Sequence, residues 1–352
     1  MPRLAFIVIF SLLSFLRAFA IEVIRVVDAE DSQPIPYATI FSQTGTIIGL
    51  TDDNGAITID DNSRFPVTIK CMGYEPLQCA AGTCSAAMTR CAYPLEEVVV
   101  SPADRPVTHI ICYFREYVSG ESGENTIISF NEHMGDFFLT DGKVKGFKSS
   151  GSPRFLCSRL YSRVTDSSGL DSIFRPDFRD TSISWEQLIN FPSGRVEIKS
   201  DTVAGKYGIK EVVRRDGELI SIHDDYLADN KDHRLSPMIF KLLGFTMDIT
   251  EFQSNKIVRP SAPASYSAAD ILSATFTFDI TGRGKWIKKA FRTDAPVHMY
   301  GYYEIYPVEI EHLTVEDAKE LQKNPPTVKM QVSPLAGGPE PAVQYIIDHC
   351  RK

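Results

Sequence analysis

Three groups of side chains in this 352-residue chain have types and spacings that can do chemistry. The first is His223-Asp224-Asp225, followed by Asp229, Asp232 and His233. Imidazoles and carboxylates this close in sequence can hold a divalent metal. The plainer reading is a solvated acidic loop at the end of a strand. The second group is Glu304, Glu309, Glu311 and His312. Glu309 and Glu311 fall on one face of a strand, as paired catalytic carboxylates would, or as ordinary exposed strand charge would. The third is aromatic: Trp185, Trp286 and the strand face Tyr300, Tyr302 and Tyr306. Such rings can stack on a sugar or a peptide while staying partly wet, and they can equally be core.

The established hydrolytic signatures are missing from the sequence. A zinc carboxypeptidase needs His-x-x-Glu and a distant second His, but no His here has Glu three residues on, and His133 has Asp136 there. HExxH is absent too. An α/β-hydrolase elbow needs Gly-x-Ser-x-Gly. Gly120 precedes Ser122, but Glu124 stands where the last Gly belongs. No glycine-rich nucleotide loop is present. The sequence therefore implies no cofactor, a metal at His223–His233 being the exception to test.

The elements that must position these groups begin with an export signal. Arg3 supplies a positive start, Leu4 to Leu16 an apolar run, and Ala18-Phe19-Ala20 a small-x-small cleavage site, the pattern of a secretory signal peptide over residues 1–20. Cleavage would remove Arg3 and Arg17, leaving 35 basic against 45 acidic residues, a net charge of −10. That balance disfavours nucleic acid and anionic membrane as partners. No later stretch is apolar for long enough to be a transmembrane helix. The mature chain is expected to be exported, and soluble or peripherally attached.

An exported chain is permitted disulfides. Of the seven cysteines, Cys71, Cys79, Cys84 and Cys91 lie close together, and four cysteines allow three pairings. Cys79 and Cys84 flank a plausible turn, Ala80 to Thr83, and form the favoured pair. Their spacing does not suit a zinc site.

Residues 21–100 read as short strands separated by turns. Ile21–Asp28, Tyr37–Phe41, Thr46–Leu50, Ile57–Ile59, Pro66–Cys71 and Glu96–Val100 are apolar or alternate with period two, which indicates a β-sandwich. Asp52-Asp53-Asn54-Gly55 is a tight turn: Asp52 can bond backbone amides, and Asn54 and Gly55 tolerate positive φ. Gly73 does the same between Cys71 and Tyr74. These four, Asp52, Asn54, Gly55 and Gly73, are structural residues. Calcium binding at Asp52-Asp53 is the alternative, but the spacing is not that of an EF-hand.

The order Asp28, Pro34-Ile35-Pro36-Tyr37-Ala38-Thr39-Ile40, Gly49 to Gly55, Met72-Gly73-Tyr74-Glu75 and Leu95 to Val100 resembles the carboxypeptidase-regulatory-like domain. That resemblance covers about residues 22–100. It implies a transthyretin-like sandwich of about seven strands, of the kind found at the N-terminus of TonB-dependent outer-membrane receptors. Ile24 replaces the family's usual Gly, Ile57 its usual aromatic, and the Cys79–Cys91 stretch is foreign to the pattern. The family name carries no peptidase activity here, because the zinc ligands are missing.

Ser101 to Pro106, with two prolines, is a linker. Residues 107–325 match no known pattern and read as a β-rich domain with a few short helices. His109–Val118 alternates with Tyr113, Arg115 and Tyr117 on one side. Thr126–Phe130, Leu156–Val164 and Val297–Tyr306 are further strands, and Arg215-Asp216-Gly217 turns a hairpin. Short helices are expected at Ser184–Ile189, at Ser236–Gly244 and from Thr314 to about Lys323. Residues 326–352, rich in Pro and Gly, read as an irregular tail. A 22-stranded receptor barrel would need roughly 220 residues before any loop or plug, and the about 250 residues after the linker also carry short helices and an acidic loop, which argues against a full receptor. The chain is thus expected to be mainly β, an exported non-enzymatic envelope protein that binds protein or glycan. The alternative is a hydrolase with its metal or carboxylate site in 107–325.

Overall fold

The computed structural model describes residues 22–82, 85–93, 104–122, 125–165, 171–172, 191–199, 202–204, 210–227, 245–285, 293–336 and 340–349. The export signal, the Glu96–Val100 strand, the helices expected at 184–189 and 236–244, and Cys84, Trp185, Asp229, Asp232, His233 and Trp286 lie outside the described residues.

Alternating apolar residues in the first segment make a two-sheet sandwich. Its strands are β1 (Glu22–Asp28), β2 (Thr39–Phe41), β3 (Ile47–Leu50), β4 (Ala56–Ile59), β5 (Val67–Lys70), β6 (Leu77–Cys79) and β7 (Ser85–Met88). They form a three-stranded sheet, β4-β1-β7, facing a four-stranded sheet, β3-β2-β5-β6. Ile24, Val26, Ala38, Ile40, Val67, Ile69 and Met88 meet between them without solvent contact. Ile24 is one of the most enclosed of these, and a Gly there would leave a void. In the Asp52–Gly55 turn, Asp52 Oδ1 accepts from the backbone N–H of Asn54 (2.9 Å) and of Ala56 (2.8 Å). Gly55 has φ +69°, and a Cβ there would stand 2.5 Å from the carbonyl oxygen of Val26. Gly73, at φ +88°, turns the chain so that Tyr74 N–H donates to Cys71 O (3.1 Å). Asp52, Gly55 and Gly73 act as the turn residues the sequence suggests, whereas Asn54 takes no positive φ and contributes its backbone N–H. Cys79 is a buried free thiol.

The second unit is one large antiparallel sheet. Its strands are β8 (Val107–Ser122), β9 (Asn125–Thr140), β10 (Ser150–Thr165), β11 (Asp171–Ser172), β13 (Thr202–Ala204), β14 (Lys210–Asp216), β15 (Leu219–Asp225), β16 (Phe245–Val258), β18 (Ile271–Gly284) and β19 (Val297–Leu313). Their order is β11-β10-β9-β8-β19-β18-β16-β15-β14-β13. β12 (Val196–Glu197) and β17 (Ser265–Tyr266) pair separately. The segment read as Thr126–Phe130 is part of the sixteen-residue β9, which runs on through Phe137–Leu139. Polar residues interrupt its apolar pattern, and cross-strand partners satisfy several of them, as Glu116 does for Asn131 (3.0 Å).

Because side chains alternate along a strand, the sheet has two distinct faces. One is a continuous apolar layer of Ile110, Cys112, Phe114, Phe137, Leu139, Phe276, Phe278, Ile280, Met299 and Ile305, continuing to Ile220 and Ile222. Gly301 sits opposite Phe278 across β18–β19. A Cβ on Gly301 would come within 2.2 Å of that ring, so the bare backbone is what seats it.

Two α-helices complete the described chain. In α1 (Val315–Lys323), Thr314 Oγ1 caps the N-terminus by accepting from Asp317 N–H (3.1 Å), as its sequence position suggests. The second corrects the expectation of an irregular tail: residues Pro341–His349 form α2. Pro341 supplies the fixed φ that suits a first turn and lacks an N–H that would go unpaired. Ala342, Val343 and Ile346 are buried along one side of it.

Candidate functional site: the seam between sandwich and sheet

The sheet's other face carries the residues with chemical character, and the sandwich sits on it. Cross-strand register sets them in rows. Arg115, Glu304, Thr275, Asn255 and His223 lie opposite one another across β8, β19, β18, β16 and β15. The next row is Tyr117, Tyr302, Thr277, Gln253 and Asp225, and the one after it Ser119, Tyr300, Asp279 and Glu251. The period-two rule that makes the opposite face apolar makes this face a polar and aromatic floor.

At its centre is a closed network of four buried charges. Lys70 Nζ, from the end of β5 in the sandwich, lies 2.5 Å from Glu304 Oε1 and 2.8 Å from Glu340 Oε1. Arg115 donates to Glu340 Oε2 at 2.9 Å and lies 3.2 Å from Glu304 Oε2, while its Nη1 donates to the carbonyl of Ala336 at 2.6 Å. Burial works against the charge of Glu340, but Lys70 and Arg115 outweigh it and hold the carboxyl below its usual range. Two cations and two anions from the sandwich, two sheet strands and the residue before α2 thus neutralise one another away from water. Around them Phe41 and Ile47 of the sandwich, Tyr117 and Tyr302 of the sheet, and Ala342, Val343 and Ile346 of α2 form one apolar cluster. Tyr302 donates its hydroxyl to Glu304 Oε1 at 3.0 Å.

Further bonds extend the seam. Ile47 N–H donates to Ser119 Oγ (3.0 Å), and the Tyr93 and Ser273 hydroxyls meet at 3.2 Å. Arg90 joins Asp28 (2.6 Å) to Asp216 on the hairpin (2.5 Å). Burial raises the Asp28 carboxyl, yet the Glu30 amide, Arg90 and Tyr74 together pull it down to about 2.

Two clefts flank the charge network. One, of about 30 Å³, is lined by Tyr37, Lys70, His223, Gln253, Thr275 and Thr277 among others. Here the Tyr37 ring stacks on His223 at 4.0 Å. Desolvation pushes that imidazole down to about 4, so it is neutral. Its Nε2 and the Oε1 of Gln253 are buried without a hydrogen-bond partner among the described residues. The other, of about 120 Å³, lies between β3, Arg64 and the β8–β19 pair, with His298 and Tyr300 on its wall.

These positions redraw the sequence-derived groups. Asp224 points to the opposite face from His223 and Asp225, because adjacent strand residues alternate. His223 faces the sandwich, whereas Asp224 bonds Lys256 (2.9 Å) and Ser254 (3.1 Å), and Asp225 accepts from Leu227 N–H (2.9 Å). Among the described residues, no three His, Cys, Asp or Glu side chains are grouped to hold a metal. Glu304 belongs to the charge network and Glu309 is exposed. Glu311 bonds His109 (2.7 Å), whose other nitrogen meets Asp136 (2.9 Å). Of the aromatic platform, Tyr302 and Tyr306 are buried in packing. Tyr300 lines one cleft and Tyr302 the edge of the other.

No protein-family profile matches the chain, and no curated protein matches it. Among solved structures, it is similar to the lipovitellin of a study of lipid–protein interactions, with 12% identity and a TM-score of 0.30 over 60% of this chain; the chain spans 26% of that protein. A DUF1329 family protein from Desulfovibrio piger matches at 8% identity and a TM-score of 0.11, over 57% of this chain and 85% of the other. Likenesses this distant carry no argument about this chain.

Sequence reading missed Lys70, Arg115 and Glu340 as partners, along with Arg64, Asp279 and His298. A signal for two of the network members was present. Arg115 stands between Tyr113 and Tyr117, and Glu304 between Tyr302 and Tyr306, each a charge inside a period-two aromatic stripe. A charge in such a stripe is buried with the rings and needs a counter-charge.

Proposed function

We propose that this chain is an exported cell-envelope protein with a non-enzymatic binding or adaptor role in the periplasm or at the outer membrane, and that its seam is the working surface. The observation that carries the reading is the buried network Lys70–Glu304–Arg115–Glu340. A sandwich tethered only by a linker needs no desolvated charges at its base. Four mutually neutralising charges tolerate one relative placement, because any slip leaves an ion buried and unpaired. A seam held in one geometry keeps its clefts preformed, which lowers the entropy cost of binding. The seven strands in two sheets support the carboxypeptidase-regulatory-like reading of the first unit. The Arg3–Ala20 pattern supports export.

Fractionation of cells producing the full chain is expected to place a processed form in the periplasm or outer membrane. A chain found unprocessed and only in the cytoplasm overturns the compartment. A photo-cross-linking residue in place of Tyr300, at the larger cleft, is expected to capture an envelope protein or glycan in cells. Capture from an exposed control at Glu309 but none from position 300 overturns the seam as the working surface.

A further inference from the structure

We propose that the cleft between β3 and the β8–β19 pair binds the carboxylate of a small, partly apolar monoanion, with Arg64 as the anion receptor. The inference rests on the seam being a binding site and names the ligand class for one of its clefts.

Arg64 closes the short 3₁₀ turn Asn62–Arg64 and lines the cleft, half-buried. Among the described residues its guanidinium makes no salt bridge, and its charge acts at longer range on the exposed Asp61 carboxyl. A guanidinium is the side chain best shaped for a carboxylate, with two parallel N–H donors. The opposite wall is chemically prepared for the same guest. His298 Nε2 lies 2.5 Å from Asp279 Oδ1, and that bond raises the imidazole's pKa and favours its protonated form. Desolvation, with the Asp279 and Glu251 charges nearby, pushes the Tyr300 phenol up to about 12, so it keeps its proton. The Asp279 charge thus lies beside the His298 and Tyr300 side chains. Their rings meet edge to face at 4.5 Å.

The remaining wall sets the rest of the ligand. Ile47 and Ile48 line the sandwich side, so an apolar group attached to the carboxylate has surface to bury. Glu121 lies opposite His298 in register and is exposed at the rim. A carboxylate there repels a second negative charge, which separates a monocarboxylate from a phosphate dianion. A cleft of about 120 Å³ takes the head of a short acyl or aryl acid rather than a larger molecule.

The test is titration calorimetry on the full mature chain with benzoate, inorganic phosphate and benzylamine as probes. Benzoate is expected to bind with a Kd of about 1 mM or tighter, and the other two at least tenfold more weakly. Arg64→Gln is expected to weaken benzoate by about tenfold or more, and Arg64→Lys by less, with melting temperature unchanged in both. Glu121→Gln is expected to bring phosphate closer to benzoate. Benzoate that fails to bind at about 10 mM, or that binds Arg64→Gln as well as the parent, overturns the proposal. If cross-linking at position 300 captures a partner while benzoate does not bind, the ligand class falls and the seam reading stands. If neither occurs, both fall.

Discussion

Glu340→Gln is the perturbation that most directly probes how this molecule is assembled. Glu340 is 4% exposed and takes Lys70 at 2.8 Å and Arg115 at 2.9 Å. Removing its charge leaves two buried cations sharing one carboxylate, Glu304. Breaking a buried ion pair by removing one partner costs about 3–5 kcal/mol. At roughly 2–4 °C per kcal/mol for a folding unit of this size, the melting temperature should fall by about 10 °C. Calorimetry of the full chain reads this, and it reads a second quantity. The network joins sandwich to sheet, so the parent is expected to melt in one transition and Glu340→Gln in two, with the sandwich released from the sheet. Removing both sides of the contact is the control. Lys70→Met with Glu340→Leu replaces paired ions by apolar bulk and should recover much of the loss, a coupling of at least about 1.5 kcal/mol. Glu309→Gln, at an exposed position on the same strand as Glu304, should change stability by less than about 0.5 kcal/mol. A Glu340→Gln melting curve that matches the Glu309→Gln curve in midpoint and shape would refute the reasoning.

Other perturbations follow from the same structure. Burial, with Asp279 and Asp225 nearby, pushes the Glu251 carboxyl up to about 7. The folded state then holds a proton the unfolded chain has lost, so stability falls as pH rises from 4.5 to 7. Glu251→Gln should gain up to about 3 kcal/mol at pH 8 and nearly nothing at pH 4, measured by urea midpoints. His109 is desolvated, but its bonds to Asp136 and Glu311 raise its pKa above 6.5. Its contribution is full below pH 6.5 and is lost as pH rises through the raised value. In a Glu251→Gln background, His109→Gln should flatten the remaining decline in melting temperature between pH 6 and 9, and an unchanged slope would count against the ion triad. Arg154 bonds Asp136 at 2.9 Å and the carbonyls of Leu321 and Gln322, each at 2.9 Å. Arg154→Ala should therefore speed hydrogen exchange in α1 selectively, and uniform exchange rates would contradict that clamp. Gly55→Ala places a Cβ against the Val26 carbonyl at φ +69°. It should cost at least about 2 kcal/mol by denaturant unfolding.

The local chemistry of this chain was legible before its fold was known, wherever the deciding contacts are close in sequence. Asp52 bonds amides two and four residues on, Thr314 bonds an amide three residues on, and strand alternation repeats every two residues. Such patterns identified the sandwich turns, the cap of α1 and the mainly β class. The tail was misread because Pro and Gly content says nothing of what a segment packs against. α2 is helical where its Val343 and Ile346 side chains find Phe41, Tyr117 and Tyr302. Within the His223–Asp225 group the strand separates what the sequence places side by side, because Asp224 points to the opposite face from His223 and Asp225.

The seam was decided by tertiary structure alone. Lys70 and Glu340 lie 270 positions apart, and Arg115 and Glu340 lie 225 apart. Nothing in either neighbourhood specifies which distant charge will meet it. The sequence by itself determined that Arg115 and Glu304 each sit in an aromatic stripe and must find partners. Folding decided which ones, because docking the sandwich and α2 on the same face of the sheet brings a sandwich lysine and a C-terminal glutamate to one dry point.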